Sequence, residues 1–345
     1  MMAVMPMAEN RKLNARLFDH DIIYLHAYCD PVNSITVRAR RGYALYRPVP
    51  NRYYHPMSFG TRTERLPCVG EHRLEREAGR LVYPVISRRS GGLSLGINLF
   101  PDAKRCSFDC PYCEVFPLAA GLPPFSLAAL EIELNLFLES GYASGWKGVP
   151  VRDLCISGNG EPTLSDSLGA ALDLCSRARR AHPEVLGGAA LVLITNSTGF
   201  LVPETSALLS RYAKEEGLVV WAKLDGGNEK LHRLMTGSSI ELERITRGIE
   251  DFARRTPIVV QTMLCEVHGR GPSKSDVADY SALLNRLTQS GALVDEVHLY
   301  TFARPTPAGG CASLSAEGLR GIACSVHAAT GLAVRAFSAS RELQW

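Results

Sequence analysis

Three thiols fall close together in the 345-residue sequence, in the run Pro101-Asp102-Ala103-Lys104-Arg105-Cys106-Ser107-Phe108-Asp109-Cys110-Pro111-Tyr112-Cys113-Glu114. The other seven cysteines (Cys29, Cys68, Cys155, Cys175, Cys265, Cys311 and Cys324) stand singly. Thiolates at CxxxCxxC spacing are metal ligands by type, because iron and zinc both accept soft sulfur donors. A closed structural zinc site wants four ligands, and the local sequence supplies three; His55 or His72 folding back is the way a zinc reading could be completed. A cubane iron-sulfur cluster normally takes four cysteines, so three would leave one iron open to another ligand. The charged residues and prolines around these cysteines mark a loop.

A second polar cluster follows at Ser157-Gly158-Asn159-Gly160-Glu161-Pro162-Thr163. Glycines allow close backbone approach, and a carboxylate among exposed carbonyls is suited to a cationic ammonium. Farther along, Thr195 and Asn196 end one apolar run, Lys223 and Asp225 end another, Gln261 sits within a third and Tyr300 lies near the end of a fourth.

Those runs are the elements that must position the chemistry. Residues 93–100, 152–157, 190–196, 219–225, 258–265 and 296–302 are nearly continuous apolar segments, as expected of strands buried on both faces. Between them apolar residues recur at helical spacing: Leu127, Leu130, Leu134, Phe137 and Leu138; Leu168, Leu172 and Cys175; Leu242, Ile245, Ile249 and Phe252; Val277, Tyr280, Leu284 and Leu287. A last helix over 315–329 leads to a possible final strand at 332–337. Alternating strands and helices predict an α/β fold with a parallel sheet, read as a partial (β/α)6 TIM-like barrel, with a doubly wound open sheet as the alternative. Right-handed crossovers put the loops after the strands, and hence the polar residues above, on one rim. The expected division is an N-terminal Arg-rich extension or small subdomain at 1–85 and the barrel domain at 86–345.

Composition limits the class. Hydrophobic residues make up 46% and charged residues 21%, which excludes wholesale disorder, and no apolar stretch approaches a membrane span. With no secretion signal the ten cysteines are not expected to form a disulfide framework, and the expected location is cytoplasmic. Residues 38–89 hold twelve Arg against four Glu, a local charge of +8 inside a chain of net +3. Interleaved with Tyr43, Tyr46, Tyr53, Tyr54 and Phe59, this segment is a possible RNA contact; a solvated face is the plainer account. Cys155, Cys175 and Cys265 are expected to be small apolar fillers. His268 is expected to be a turn residue, and Cys311, after Gly309-Gly310 in an expected loop, is the single thiol least easily read as a filler.

CxxxCxxC after the first strand of a βα barrel resembles the radical S-adenosylmethionine superfamily. That resemblance implies a [4Fe-4S] cluster on Cys106, Cys110 and Cys113, S-adenosyl-L-methionine chelated to the fourth iron, reductive cleavage to a 5'-deoxyadenosyl radical, and hydrogen abstraction from a substrate. It also implies that Tyr112 borders the adenine, and that Gly158, Asn159, Gly160 and Glu161 receive the cofactor's amino group. Asn196, Asp225 and Gln261 would contact ribose or substrate, and Lys223 the cofactor carboxylate. An electron donor of the flavodoxin or ferredoxin type is implied. Within the superfamily the chain resembles the wyosine-synthetase-like branch over residues 81 to 337, through Tyr83-Pro84-Val85-Ile86-Ser87-Arg88-Arg89-Ser90-Gly91-Gly92-Leu93-Ser94-Leu95-Gly96-Ile97-Asn98, Gly158-Asn159-Gly160-Glu161-Pro162-Thr163, Ala222-Lys223-Leu224-Asp225 and Ala303-Arg304-Pro305. The tRNA-modifying members of that branch carry three further N-terminal cysteines; here only Cys29 and Cys68 precede the motif.

Overall fold

A computed structural model describes residues 79–345 throughout and, before them, the backbone of three short strands. The chain divides into two compact units, residues 1–58 and 59–345. In the first, β1 (Leu13–Asn14), β2 (Tyr24–Cys29) and β3 (Ile35–Arg38) form an antiparallel sheet in that order. The Arg-rich stretch from 39 to 78, with His55, His72, Cys68 and the interleaved aromatic residues, lies outside the described residues.

The second unit is built on a nine-stranded sheet. Its parallel strands are β5 (Gly92–Ile97), β6 (Val151–Ile156), β7 (Ala190–Thr195), β8 (Leu218–Lys223), β9 (Ile258–Met263), β11 (Val294–Tyr300) and β13 (Val334–Phe337), paired in sequence order. All six expected strands and the final one are therefore present, and the sheet curls into a partial barrel. Antiparallel strands bound it on both sides: β4 (Val82–Ser87) beside β5, and β14 (Glu342–Leu343) beside β13.

Helices cover the convex face. Val220 and Ala222 of β8, Val260 of β9 and Leu299 of β11 pack there in one large core with Leu172, Leu209, Ile249, Leu284 and Leu319 from the helices. Alternate residues face inward: Cys155, Val192, Trp221 and Val259 form a small cluster on the concave side. The helix starts follow side-chain chemistry. Ser126 accepts the Ala129 N–H at 3.4 Å, and Ser315 accepts the Gly318 N–H at 3.0 Å. Ser273 and Asp276 form a reciprocal capping box ahead of the helix Lys274–Gln289.

The strands stop earlier than the apolar runs do. The run 93–100 ends its ladder at Ile97, 190–196 at Thr195, 219–225 at Lys223 and 296–302 at Tyr300. The run 258–265 breaks at Met263, after which β10 (Cys265–Val267) pairs with β12 (Cys311–Ser313) in a separate two-stranded sheet. Apolarity misplaces these ends because the loops themselves are buried: Leu99, Phe100, Leu224 and Leu264 are all core residues. Asn196 and Asp225 consequently stand just past the ladder, where their backbones are free to turn. Among the described residues no helix is long and apolar enough to cross a membrane.

Candidate metal centre

The cysteine loop leaves β5 and is laid against the loop that leaves β6. The Arg105 N–H donates to the Asn159 carbonyl at 3.1 Å, and the Glu161 N–H to the Arg105 carbonyl at 2.8 Å, a one-residue parallel bridge. The contact needs glycine: a Cβ on Gly160 would lie 1.9 Å from the Arg105 carbonyl oxygen. Gly158 turns with φ +137° beside Asn98, whose side-chain oxygen accepts the Asn159 N–H at 3.1 Å. A second support comes from the helix Glu229–Thr236, where the Thr236 carbonyl accepts the Asp109 N–H at 2.9 Å.

Cys106, Cys110 and Cys113 are all partly exposed on this loop. Burial raises the Cys106 thiol above its ordinary range, with the Phe108 N–H opposing. Burial likewise pushes Cys110 up to about 12, against the pull of Lys223. Lys104 lies beside Cys113, and its charge is favoured by the neighbouring thiols and Asp109 despite partial burial. Among the described residues no three His, Cys, Asp or Glu side chains converge as ligands of a single ion. Three thiols on one loop, each free to take its own iron, are a donor set that fits a polynuclear cluster with one position left open.

Two groups of side chains flank the thiols. In the first, Asn196 donates from Nδ2 to the Ser107 hydroxyl at 2.8 Å and to Cys106 Sγ at 3.7 Å. Its Oδ1 accepts the Thr198 N–H at 3.1 Å and hydroxyl at 2.7 Å. Behind it lies the Glu161 carboxylate, only 2% exposed. Oε1 accepts from the Thr163 N–H, the Thr163 hydroxyl and the Thr195 hydroxyl, and Oε2 from the Asn196 N–H at 2.6 Å. Burial raises its pKa, and these four donors oppose the rise. Ser197, next in the chain, is fully buried with φ +73° and bonds to the Lys223 carbonyl at 2.9 Å. A non-glycine residue held there marks a locally over-determined turn.

In the second group, Lys223 Nζ lies 3.1 Å from Asp225 Oδ2 and 2.7 Å from the Tyr300 hydroxyl, over the rings of Tyr112 and Tyr300. Burial disfavours the ammonium charge, but Asp225, Tyr300 and Cys110 more than offset it and hold the pKa above its usual value. Asp225 also accepts the Tyr112 hydroxyl and, at 2.8 Å, the Met263 N–H. Burial first, then Asp225, keep the Tyr112 phenol protonated.

Of the residues singled out in the sequence, Tyr112, Gly158, Asn159, Gly160, Glu161, Asn196, Lys223 and Asp225 are thus brought around the cysteine loop. Asn159 and Glu161 spend their side chains inside the protein, Asn159 bonding the Phe100 carbonyl at 3.0 Å. Gln261 belongs elsewhere: fully buried, it accepts from Arg89 at 2.5 Å and lies 3.4 Å from His298 on the concave face. His268 is in a turn, with φ +50° and its N–H on the Gly310 carbonyl. Cys155 and Cys175 are core fillers; Cys265, itself buried, lies in β10, which pairs antiparallel with the strand β12 that begins at Cys311. The apolar cavity bordered by Leu231, Met235, Val277, Tyr280 and Ile322 contains none of the three clustered thiols.

Sequence reasoning missed three groups that complete this rim. Ser107 and Thr198 join the first and third loops by a 2.8 Å hydrogen bond. Glu114, immediately after Cys113, pairs with Arg304 from the loop after β11. Arg88, in the β4–β5 turn, donates to the carbonyls of Thr301 and Ser338, which follow β11 and β13, so the first hairpin spans the open side of the barrel. Ser107, Thr198 and Glu114 carry no spacing signature, and Arg88 and Arg304, though they stand in the segments of the branch resemblance, show their partners only in the contacts.

No protein-family model matches the chain. Among curated proteins, a UPF0026 protein of Helicobacter pylori is 26% identical over 65% of this chain and 66% of its own length. A UPF0026 protein of Synechocystis sp. is 29% identical over 54% of this chain and 64% of its own length. The chain therefore spans a little under two thirds of the length of these relatives. Among solved structures, a radical SAM methyltransferase from Sphaerobacter thermophilus superposes with a TM-score of 0.53 at 14% identity, over 74% of this chain and 69% of that one. The chain shares the fold of that enzyme.

Proposed function

We propose that the protein is a radical S-adenosylmethionine enzyme. The observation that carries this reading is the loop of three partly exposed thiols docked, through the Arg105–Gly160 bridge, on the Gly-Asn-Gly-Glu turn at the rim of a partial barrel. The fold shared with a radical SAM methyltransferase supports it.

Cys106, Cys110 and Cys113 would hold three irons of a [4Fe-4S] cluster. When bound, that group supplies the electron that splits S-adenosylmethionine into methionine and a 5'-deoxyadenosyl radical, which takes a hydrogen atom from the substrate and becomes 5'-deoxyadenosine. The chain's own residues bind and orient. The Glu161 carboxylate is saturated by its four internal donors, so its task is to shape the turn, and the backbone carbonyls of Gly158 and Gly160 are the acceptors left for an ammonium. Lys223 offers a fixed cation for a carboxylate, Tyr112 a ring for adenine, and Asn196 and Asp225 polar atoms for ribose. A flavodoxin or ferredoxin-type protein would deliver the electron.

The test is anaerobic purification with iron, sulfide and zinc analysis, then addition of dithionite and S-adenosylmethionine. Four iron and four sulfide per chain with 5'-deoxyadenosine formed is the expected result; stoichiometric zinc and no cleavage would leave a metal-bound scaffold. A narrower reading, RNA modification of the wyosine-like kind, is favoured by the +8 segment at 38–89. It expects tRNA affinity that falls steeply with salt through counterion release; salt-insensitive or absent binding at low ionic strength removes it.

A further inference from the structure

The concave face of the barrel holds a cation that the rim chemistry does not use. Arg89, the second arginine of the β4–β5 turn, inserts over β8, β9 and β11. Its guanidinium lies 5.3 Å from the Trp221 ring centroid and 4.8 Å from that of Tyr300, and Nη1 donates to Gln261 Oε1 at 2.5 Å. Among the described residues that neutral amide is its sole hydrogen-bond acceptor, and no carboxylate forms an ion pair with it. Asp153, whose field it feels, accepts the Ser94 hydroxyl instead. Gln261 is itself held by His298, which takes its other ring nitrogen to Glu296 at 2.8 Å. The side chain is thus fixed by two rings and one amide, is only partly buried, and keeps Nη2 and Nε unbonded.

A guanidinium between two rings has its faces covered and its edge free, and the free edge presents two parallel N–H donors, the geometry that matches a carboxylate. The other cation over the Tyr300 ring, Lys223, has its counter-charge in Asp225, and Arg335, over the ring of Phe337, has Glu296 and Glu342. Tyr300 is shared, its ring under Arg89 and its hydroxyl on Lys223, so the Arg89 edge and the rim group lie on neighbouring sides of one residue.

We propose that Arg89 is a substrate-binding residue and that the substrate carries a carboxylate, held on the concave face by the free edge of this guanidinium. A carboxylate is favoured over a phosphate because Asp153 lies near the guanidinium, which suits one negative charge better than two. The inference rests on the radical-enzyme reading for the word substrate; the binding itself does not.

The experiment is calorimetric titration of the full chain, purified anaerobically, with succinate and separately with inorganic phosphate, each with and without S-adenosylmethionine. The expected result is saturable succinate binding that persists with S-adenosylmethionine present. It should weaken about tenfold or more in Arg89→Gln, the loss of a charge-assisted hydrogen bond, and by less in Arg89→Lys, which keeps the charge without the planar fork. No succinate binding by the wild-type chain, equal binding by a folded Arg89→Gln protein, preference for phosphate, or displacement by S-adenosylmethionine would each overturn the proposal. Assaying 5'-deoxyadenosine on the same wild-type preparation separates the two readings: cleavage without succinate binding defeats this inference alone, and Arg89-dependent binding without cleavage defeats the radical reading alone.

Discussion

The rim of the barrel and its concave floor treat charge in opposite ways. At the rim the charged side chains beside the thiols are compensated: Glu161 by four donors, Lys223 by Asp225 and Tyr300, Arg304 by Glu114. On the floor Arg89 is stacked and aimed but left without a counter-ion. A fully compensated network has one low-energy arrangement and holds three loops in register, which is what a site assembled from loops after different strands requires. An uncompensated, partly buried cation costs folding energy, and its use is to be compensated by something that arrives.

The comparison can be broken most severely at the thiols themselves. Cys110→Ala is expected to abolish iron and sulfide content and 5'-deoxyadenosine formation together; a fully active variant would remove the metal centre from the rim. Next in size is Lys223→Met, which strands Asp225 without its cation. A loss of about 3–5 kcal/mol in denaturant unfolding is expected, with much of it recovered when Asp225→Asn is added; additive effects would deny that the rim is a compensated network. Gly160→Ala forces the two loops apart and is expected to cost about 1–3 kcal/mol while lowering iron occupancy, read by melting temperature and metal analysis. An unchanged protein would show that the Arg105 bridge does not position the cysteines.

The smallest expected effect is a pH slope on the floor. Burial, opposed by the hydroxyls of Ser90 and Ser94, raises the Asp153 pKa. The folded state then keeps this proton longer than the unfolded one, so its contribution is complete below the unfolded value near pH 4 and is lost as pH rises through the folded pKa. Stability measured upward from pH 4 should therefore carry a negative component that Asp153→Asn removes. An identical slope in both proteins would mean that Asp153 is not desolvated and that the floor is wetter than its packing shows.

Much of the scaffold was legible because it is written in short-range pattern. Continuous apolar runs identify strands covered on both faces, and CxxxCxxC marks a candidate metal loop wherever it falls in a fold. What misled was burial outside the ladder: Leu224 and Leu264 extend the apolar runs beyond the strands, which moved Asp225 into a strand and hid the turn to β10. Strand β4 was invisible as a strand because Pro84 interrupts its apolar run; at a sheet edge the missing N–H is tolerated. Among the site residues, Asn196, Lys223 and Asp225 were reachable from strand-end position alone. Gln261 was reachable too, but its partner was not, since Arg89 lies 172 positions away.

By itself the sequence determined the clustering of three thiols, the alternation of strands and helices along the chain and the rim on which the loops collect, because each follows from spacing, periodicity and the handedness of βα crossovers. Tertiary structure alone decided which of those polar groups are spent on one another and which remain available. That division depends on sheet curvature and on contacts between distant segments: Glu161 closes on Thr195 and Asn196, while Arg89 is carried by a hairpin turn onto two aromatic rings that nothing in its own neighbourhood foretells.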